Sequence, residues 1–401
     1  MARPAHTITR IVAATAFGAT LFAAVAFTPR HALSSTTRSP AATTGRAAAL
    51  PPIKHVFIIV LENKLYDKTF GPNTDAPYLA DSMAKAGALL TQYYGVGHYS
   101  LDNYIAMISG QAPNPATQAD CGKFVEFAET GMADNGQVIG KGCVYPAHVQ
   151  TIANQLEARG LTWHGYMEDM GNDPTRESAT CGHARIGEGD MTEGAQKASP
   201  GHPLDQYAAK HDPFVYFHSI IDSPTCDHNV VPLTRLKADL ASAESTPNYV
   251  FIAPNLCNDG HDSKCVSGKK GGLTAANEFL REWVPVIRNS PAFRDGLLIV
   301  TFDEAQGSDA TACCDEQPGP NTKAPGIQGP GGGRVGAVLI SPFIKPGTVS
   351  NEPYNHYSML RSVEDIFGLD HIGYAGQEGL RTFGPDVYTA RSSPSTTGSG
   401  R

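Results

Sequence analysis

The sequence has no run rich in lysine or arginine. Its 31 Lys and Arg residues are outnumbered by 39 Asp and Glu residues, which gives a formal net charge of −8. A nucleic-acid-binding protein normally carries a basic patch or stripe, so the composition argues against nucleic acid as a partner. Charged residues make up only 17% of the chain, which also contains 41 Gly and 29 Pro residues. This composition is typical of a loop-rich globular enzyme.

Long hydrophobic runs are also lacking after the first 27 residues: no later segment reaches the ~18 apolar residues that a membrane-spanning helix needs. Near the N-terminus, two arginines precede an apolar stretch over residues 11–27. This pattern predicts a signal peptide over residues 1–27, cleaved near Ala26 or, as a second choice, near Ala32. An uncleaved membrane anchor is the alternative. The segment has neither a twin-arginine pair nor a lipobox cysteine, so the plain secretory route is favoured. We expect the mature protein to be a monomer without stable membrane insertion.

No CxxC pair is present, which disfavours zinc binding as the role of the eight cysteines. An even number of cysteines in an exported chain predicts disulfide bonds. Closure of short loops favours two pairings, Cys121 with Cys143 and Cys257 with Cys265. The adjacent Cys313 and Cys314 either bridge each other or pair elsewhere.

Strand-like and helix-like segments alternate along the central part of the chain, and no internal repeat is apparent. This alternation predicts a single α/β catalytic domain over residues 53–388 with a mostly parallel sheet. Residues 28–52 and 389–401 are rich in small and polar residues, and they are predicted to be a disordered linker and a disordered tail. The predicted strands are 54–61, 93–96, 161–166, 214–217, 249–253, 297–302 and 335–340. The predicted helices are 76–86, 148–159, 233–243, 273–288, 356–367 and one that starts at Ser100.

Three irregular, glycine-rich segments are too long for plain connections. Loops of this length usually carry function or move. We interpret residues 110–147, 168–212 and 304–333 as cap and rim elements around a site.

Two of the apolar strands end in pairs of oxygen-bearing side chains, Glu62-Asn63 and Asp303-Glu304. Open α/β sheets place their chemistry at the carboxyl ends of the strands, and hard cations prefer oxygen ligands. These four residues are therefore predicted metal ligands, and Asn63 is also predicted to contact substrate. After one strand alone such a pair is usually a solvated turn. Two pairs, with a serine at a helix start between them, favour a metal site.

Ser100 is the predicted nucleophile and a further metal ligand. At a helix start it would lie beside free backbone amides that attract an anion, and Asn103 lies one turn along. The alternative is that Ser100 only caps the helix. A metal next to Ser100 would lower the pKa of its hydroxyl and neutralise phosphate charge. The all-oxygen ligand set favours one Mg²⁺, Ca²⁺ or Mn²⁺ ion over zinc.

Histidines supply the remaining candidate groups. His261 follows the strand 249–253 and lies at the same sheet edge, where it could protonate a leaving oxygen or hold a phosphate. His98 and His218 are weaker candidates for substrate contacts, as is His164, and a packed or surface role is the alternative for each. His356 is interpreted as structural.

The chain from about residue 54 to 370 resembles the secreted bacterial phosphoesterases of the alkaline-phosphatase superfamily, which include acid phosphatases and non-specific phospholipases C. Five segments carry the resemblance: His55 to Asn63 with Phe70-Gly71, Ser100 to Tyr104 with Ser109-Gly110, Pro254 to Asp262, Thr301 to Glu304, and Arg334 to Pro342.

The resemblance implies a three-layer α/β sandwich, disulfide-bearing loops over the site and a phosphoserine intermediate. It implies metal ligation by Glu62, Asn63, Ser100, Asp303 and Glu304, and phosphate contacts from Asn103 and His261. Two features depart from the family pattern. Asp102 replaces a frequent proline, and Ala305 to Asp309 replaces the Asp-His-Val-Pro-Pro continuation of many phospholipases C.

The leading hypothesis is a secreted, metal-dependent acid phosphatase that hydrolyses phosphate monoesters through phosphoserine at Ser100. Phosphoinositides are among the candidate substrates. A phospholipase C that cleaves phospholipid diesters is the alternative, and a non-enzymatic domain that binds phosphorylated ligands is a third hypothesis.

Overall fold

The apolar runs form the strands of one central sheet. The structure, a computed structural model, describes residues 50–388 of the chain. Ten strands lie in that range: β1 His55–Leu61, β2 Ala88–Tyr94, β3 Ala128–Met132, β4 Val138–Lys141, β5 Trp163–Met167, β6 Val230–Pro232, β7 Tyr249–Ala253, β8 Gly296–Phe302, β9 Ala337–Ile340 and β10 Thr348–Asn355. Eight of them form the main sheet in the order β10-β2-β9-β8-β1-β7-β5-β6, and β3 pairs with β4 in a separate hairpin.

Helices connect most of these strands. Nine α-helices lie among the described residues: α1 Tyr66–Thr69, α2 Ala84–Ala86, α3 Ser100–Ser109, α4 Ile152–Ala158, α5 His218–Ile221, α6 Thr225–Asn229, α7 Leu236–Asp239, α8 Gly272–Arg288 and α9 His356–Phe367. Helix α3 contacts α4 and α9, whereas α8 packs on a π-helical turn at Tyr78–Met83. None of the helices in the described range is long and apolar enough to cross a bilayer.

All strand pairs of the main sheet are parallel except those of β9, which runs antiparallel to β2 and β8. Every residue of β1 and β8 is buried, as expected for strands covered on both faces. Their register pairs Leu61 with Phe302. The next residues, Glu62 and Asp303, therefore leave the sheet side by side. The predicted α/β class with a mostly parallel sheet is confirmed.

Several predicted elements need correction. Residues 214–217 do not form a strand, because Pro213 begins a 3-10 turn over Pro213–Tyr216 that Asp212 caps through its side chain. The predicted strand 93–96 is the end of a longer strand, β2. The sequence analysis also missed β6, β10 and the β3–β4 hairpin, which are short or polar.

Four disulfide bonds form among the described residues. The predicted pairs Cys121–Cys143 and Cys257–Cys265 are confirmed, and Cys313 bridges its neighbour Cys314. Cys181–Cys226 is the remaining pair. The predicted signal peptide, the tail and all but the last residues of the predicted linker lie outside the described residues.

The buried carboxyl group of Asp212 makes the stability of the fold depend on pH. Asp212 Oδ1 accepts a hydrogen bond from Phe214 N at 3.2 Å. Tyr207 Oη donates to Gly182 O at 2.7 Å and lies 3.2 Å from Asp212 Oδ2. Tyr207 has one hydroxyl proton for these two acceptors. When this proton goes to the nearer Gly182 O, a protonated Asp212 can donate to Tyr207 Oη. Burial raises the pKa of Asp212 to about 8, from an ordinary value of 3.8.

The native state thus keeps a proton that the unfolded chain releases, so Asp212 should destabilise the fold as the pH rises from about 4 to about 8. Asp212→Asn keeps a donor toward Tyr207 and removes the titration. We expect the variant to melt at a higher temperature than wild type at about pH 8, and its stability to vary less with pH by up to ~1.4 kcal/mol per pH unit. Thermal melts across this range test the prediction, and identical pH profiles would contradict it.

Candidate active site

Ser100 is the first residue of α3 and lies directly beside the end of β1. Its Oγ donates a hydrogen bond to Glu62 Oε2 at 2.6 Å, and the Ser100 residue is 4% exposed. The preceding residue, Tyr99, has φ 74° and ψ 152°, a conformation that is uncommon outside glycine. Gly97 completes the turn, because a Cβ atom there would lie 2.5 Å from Asp102 Oδ2. The chain thus turns sharply to present Ser100 at the sheet edge.

Glu62 is held by three side chains besides its own backbone. Its Oε2 also accepts from Asn63 Nδ2 at 3.2 Å, and its Oε1 accepts from Tyr104 Oη at 2.7 Å. Burial works to raise the pKa of Glu62. The neighbouring His211 ring and the hydrogen bonds from Ser100 and Tyr104 outweigh burial, so the pKa is lowered. Glu62 is therefore an ionised acceptor for the Ser100 proton.

Asp303 brings a second buried carboxylate to the same edge. Its Oδ1 accepts from Asn63 N at 2.9 Å and from Glu304 N at 2.6 Å. Its Oδ2 is buried and has no hydrogen-bond partner. Burial, followed by the negative charges of Glu62 and Glu304, raises the pKa of Asp303 well above its ordinary value.

These features bear on whether a divalent cation fits the predicted ligands. Asp303 Oδ2 and Asp259 Oδ2 are buried oxygens without a partner, and unpaired buried carboxylates are costly unless a cation compensates them. Glu62 and Ser100 supply further oxygens beside Asp303. No group of three His, Cys, Asp or Glu side chains within residues 50–388 is arranged as a metal site by itself. The donor chemistry nevertheless fits a hard cation.

His98 is fixed on the pocket side of Glu304. Its Nδ1 contacts Glu304 Oε2, and its Nε2 lies 2.9 Å from Asp309 O. Burial tends to lower the pKa of His98, but hydrogen bonding to Glu304 and Asp309 and the Glu304 charge raise it above the ordinary value. Since both ring nitrogens face oxygen acceptors, the geometry suits the doubly protonated, positive imidazolium form.

His261 and Ser100 line the same open pocket of about 450 Å³. The His261 side chain is 47% exposed, and its backbone N donates to Asp259 Oδ1 at 2.8 Å. The three long segments that we interpret as rim elements contribute, among others, Asp120, Lys210 and Ile327 to this pocket. The predicted disulfide-bearing loops over the site are therefore present.

Asn103 and His218 were predicted to contact substrate, but neither lines this pocket. Asn103 is fully buried, and its side chain holds the turn before Ser100: Oδ1 accepts from Val96 N and Gly97 N, while Nδ2 donates to Gly97 O and Tyr99 O. Asn103 was predicted to contact phosphate. In this structure its side chain positions the turn before Ser100 instead.

His218 lies elsewhere, at the start of α5, where its ring nitrogens contact Glu126 Oε2 at 2.8 Å and Asp222 Oδ2 at 2.9 Å. Its predicted substrate contact is not supported by this position. His164 likewise contacts Tyr166 Oη on its own strand. His356 is buried between Tyr93 Oη and Asp303 O, as its predicted structural role requires.

The sequence analysis missed His211 and Lys210. The His211 ring stacks on Tyr104 with 5.2 Å between centroids, and its Nε2 lies 3.4 Å from Glu62 Oε1. Burial lowers the pKa of His211 to about 4. Lys210 Nζ lies 3.0 Å from Asp120 Oδ2. Neither residue follows a strand, so a search restricted to strand ends had no signal for them.

Comparison with known proteins agrees with this geometry. Residues 72–370 match the Phosphoesterase family. The chain belongs to this family. The predicted family is thus confirmed.

Its relatives include phosphatases and phospholipases. The chain is 27% identical to a probable acid phosphatase of Kluyveromyces lactis, over 80% of this chain and 59% of that protein. It is 25% identical to a phosphatidylinositol-3-phosphatase of Mycobacterium tuberculosis, over 82% of each. A non-specific phospholipase C3 of Arabidopsis thaliana is 30% identical over 37% of this chain and 31% of that protein. The chain spans about six tenths of the length of the yeast relative.

A solved structure of a protein in the alkaline phosphatase superfamily from Vibrio parahaemolyticus is 15% identical. The match covers 81% of this chain and 68% of the Vibrio chain, with a TM-score of 0.44.

Proposed function

We propose that this protein is an exported, metal-dependent phosphomonoesterase of the acid phosphatase type that uses Ser100 as its nucleophile. The observation that carries the proposal is the 2.6 Å hydrogen bond to the ionised, buried Glu62 from the Oγ of Ser100, which lines an open pocket. A serine hydroxyl needs such a partner to become nucleophilic.

In the first step, Ser100 Oγ forms a bond to phosphorus while the ester P–O bond breaks. Glu62 Oε2 accepts the Ser100 proton, so that a lone pair of Ser100 Oγ is free to attack phosphorus. His261, which lines the pocket, supplies a proton to the leaving oxygen. In the second step, water attacks phosphorus and gives a proton to His261, the Ser100 Oγ–P bond breaks, and the proton held by Glu62 returns to Ser100 Oγ. His98, which also lines the pocket, contributes a positive charge that stabilises the negative charge on the phosphate oxygens.

We propose that Glu62 and Asp303, with Ser100 Oγ, would hold a divalent cation, and that Asn63 and Glu304 would be its further ligands. When bound, such an ion supplies positive charge that lowers the pKa of the serine hydroxyl and neutralises phosphate charge. We propose Mg²⁺, Ca²⁺ or Mn²⁺, because the donors are oxygens. The disulfide bonds support export to an oxidising compartment.

A parallel assay on three substrates tests the function. The purified protein should release phosphate from an aryl monophosphate and from a short-chain phosphatidylinositol 3-phosphate, and leave a phosphorylcholine diester intact. The phosphoinositide is included because the mycobacterial phosphatidylinositol-3-phosphatase matches over most of both chains. Cleavage of the diester at a rate above that of the monoesters would instead establish the phospholipase C function. Release of phosphate from none of the three would contradict both.

A further inference from the structure

The pocket around Ser100 is lined by polar and charged groups, including Asn63, His261 and Lys210, and also by two large apolar residues. These are Tyr99 and Ile327, which are 49% and 45% exposed. A single exposed apolar residue is ordinary on a protein surface. Two that line the same pocket as Ser100 are available to contact a bound ligand.

Tyr99 and Ile327 share a second unusual property, since both have a left-handed backbone, with φ 74° and φ 59°. A positive φ in a β-branched residue such as isoleucine is a genuine outlier. Strained residues of this kind persist where the surrounding structure holds them, and they cluster at functional sites. The strain gives the fold no benefit, because glycine would adopt either conformation more easily.

Hydrogen bonds hold the two strained residues in place. Asn103 Nδ2 donates to Tyr99 O at 3.0 Å. On the opposite segment, Gln118 Nε2 donates to Ala324 O at 2.8 Å and to Pro325 O at 2.7 Å, and Ile327 N donates to Ala324 O at 2.9 Å.

The two segments also bond to each other, through His98 N and Pro325 O at 3.4 Å. Tyr99 and Ile327 are thus presented from connected segments, and Tyr99 immediately precedes the Ser100 nucleophile.

We propose that Tyr99 and Ile327 form an apolar clamp that holds the alcohol part of the phosphate ester, so that the preferred substrates are monoesters of aromatic alcohols. This inference rests on the proposed function. A phosphate held next to Ser100, Asn63 and His261 leaves the alcohol part of the ester to the rest of the pocket. The volume of about 450 Å³ admits a phosphate with an attached ring system. Tyr99 offers that ring an aromatic face for stacking.

The test compares kcat and KM for 2-naphthyl phosphate and for glycerol 2-phosphate, which lacks an apolar group. We expect Tyr99→Ser to raise KM for the naphthyl ester ~10-fold through loss of the aromatic contact. Because Tyr99 also precedes Ser100, the decisive quantity is kcat/KM for the naphthyl ester relative to kcat/KM for glycerol 2-phosphate, and this ratio should fall ~10-fold. Tyr99→Phe keeps the ring and should behave as wild type on both substrates.

Two further variants complete the design. Ile327→Gly removes the side chain and suits the backbone, and it should also raise KM for the naphthyl ester alone. Val349→Ala truncates another exposed apolar residue, 57% exposed on β10, and should change neither substrate.

An equal loss on both substrates in Tyr99→Ser would show that Tyr99 only positions Ser100, and would overturn the clamp. An unchanged KM for the naphthyl ester in both pocket variants would overturn it as well. Wild-type hydrolysis of glycerol 2-phosphate in either case leaves the proposed function standing. Failure of wild type to hydrolyse either ester would contradict that function and the clamp together.

Discussion

Replacing Ser100 with alanine should lower kcat for an aryl monophosphate by at least ~10³-fold, because removal of a nucleophile eliminates the covalent route. The fold should survive, since the lost hydroxyl makes a single hydrogen bond, to Glu62. Steady-state kinetics on purified protein, together with a thermal melt, measure both expectations.

Ser109→Ala provides the matched control. Ser109 lies at the other end of α3, is also buried, and donates its Oγ proton to Ile105 O at 2.7 Å. Its loss should leave kcat within ~2-fold of wild type, since a hydroxyl bonded to its own helix contributes little. Comparable activity in Ser100→Ala and Ser109→Ala would remove Ser100 from the mechanism.

Asp303→Asn should separate the metal-binding role of this residue from its role in the fold. The asparagine Oδ1 can still accept from the backbone N of Asn63 and Glu304. The negative charge beside Glu62 is lost. We expect kcat/KM to fall by at least ~10²-fold. At about pH 7 and without metal, the variant should melt at a higher temperature than wild type. Burial and the neighbouring carboxylates raise the pKa of Asp303, so the native state must either take up a proton or bury a charge there, and asparagine does neither.

Addition of Mg²⁺, Mn²⁺ or Ca²⁺ provides a readout independent of activity. A ligand that binds only the native state stabilises it, so one of these ions should raise the melting temperature of wild type and leave Asp303→Asn unchanged. Asp212→Asn serves as the control, since it makes the same substitution at a buried aspartate outside the predicted ligand set and should keep the full metal-dependent shift. An equal metal-induced shift in wild type and Asp303→Asn would contradict the assignment of Asp303 as a ligand.

The strand-end residues were predictable because two physical rules act together. Buried parallel strands appear as unbroken apolar runs, and their carboxyl ends meet at one sheet edge. Once Leu61 pairs with Phe302, Glu62 and Asp303 must be neighbours. Asp259, which the sequence analysis did not single out, also lies nearby, because the loop after β7 passes β1 through the bond from Glu62 N to Asp259 O at 2.8 Å.

The remaining residues depend on tertiary contacts that no local pattern encodes. Asn103 lies where a helical neighbour of Ser100 was expected, but its amide satisfies the backbone of the turn from Val96 to Tyr99. His211 reaches Glu62 from a long rim segment, through packing on Tyr104. His218 was assigned to the site from its residue type alone, and α5 carries it to Glu126 instead.

The most direct test of the central claim is to trap the phosphorylated enzyme. Wild-type protein is mixed with an excess of aryl monophosphate, quenched in acid during turnover, digested and analysed by mass spectrometry. The account predicts a single phosphorylated peptide with the phosphoryl group on Ser100, and no such peptide from Ser100→Ala. A phosphoryl group on another residue of the active wild-type enzyme, still present in Ser100→Ala, would contradict it.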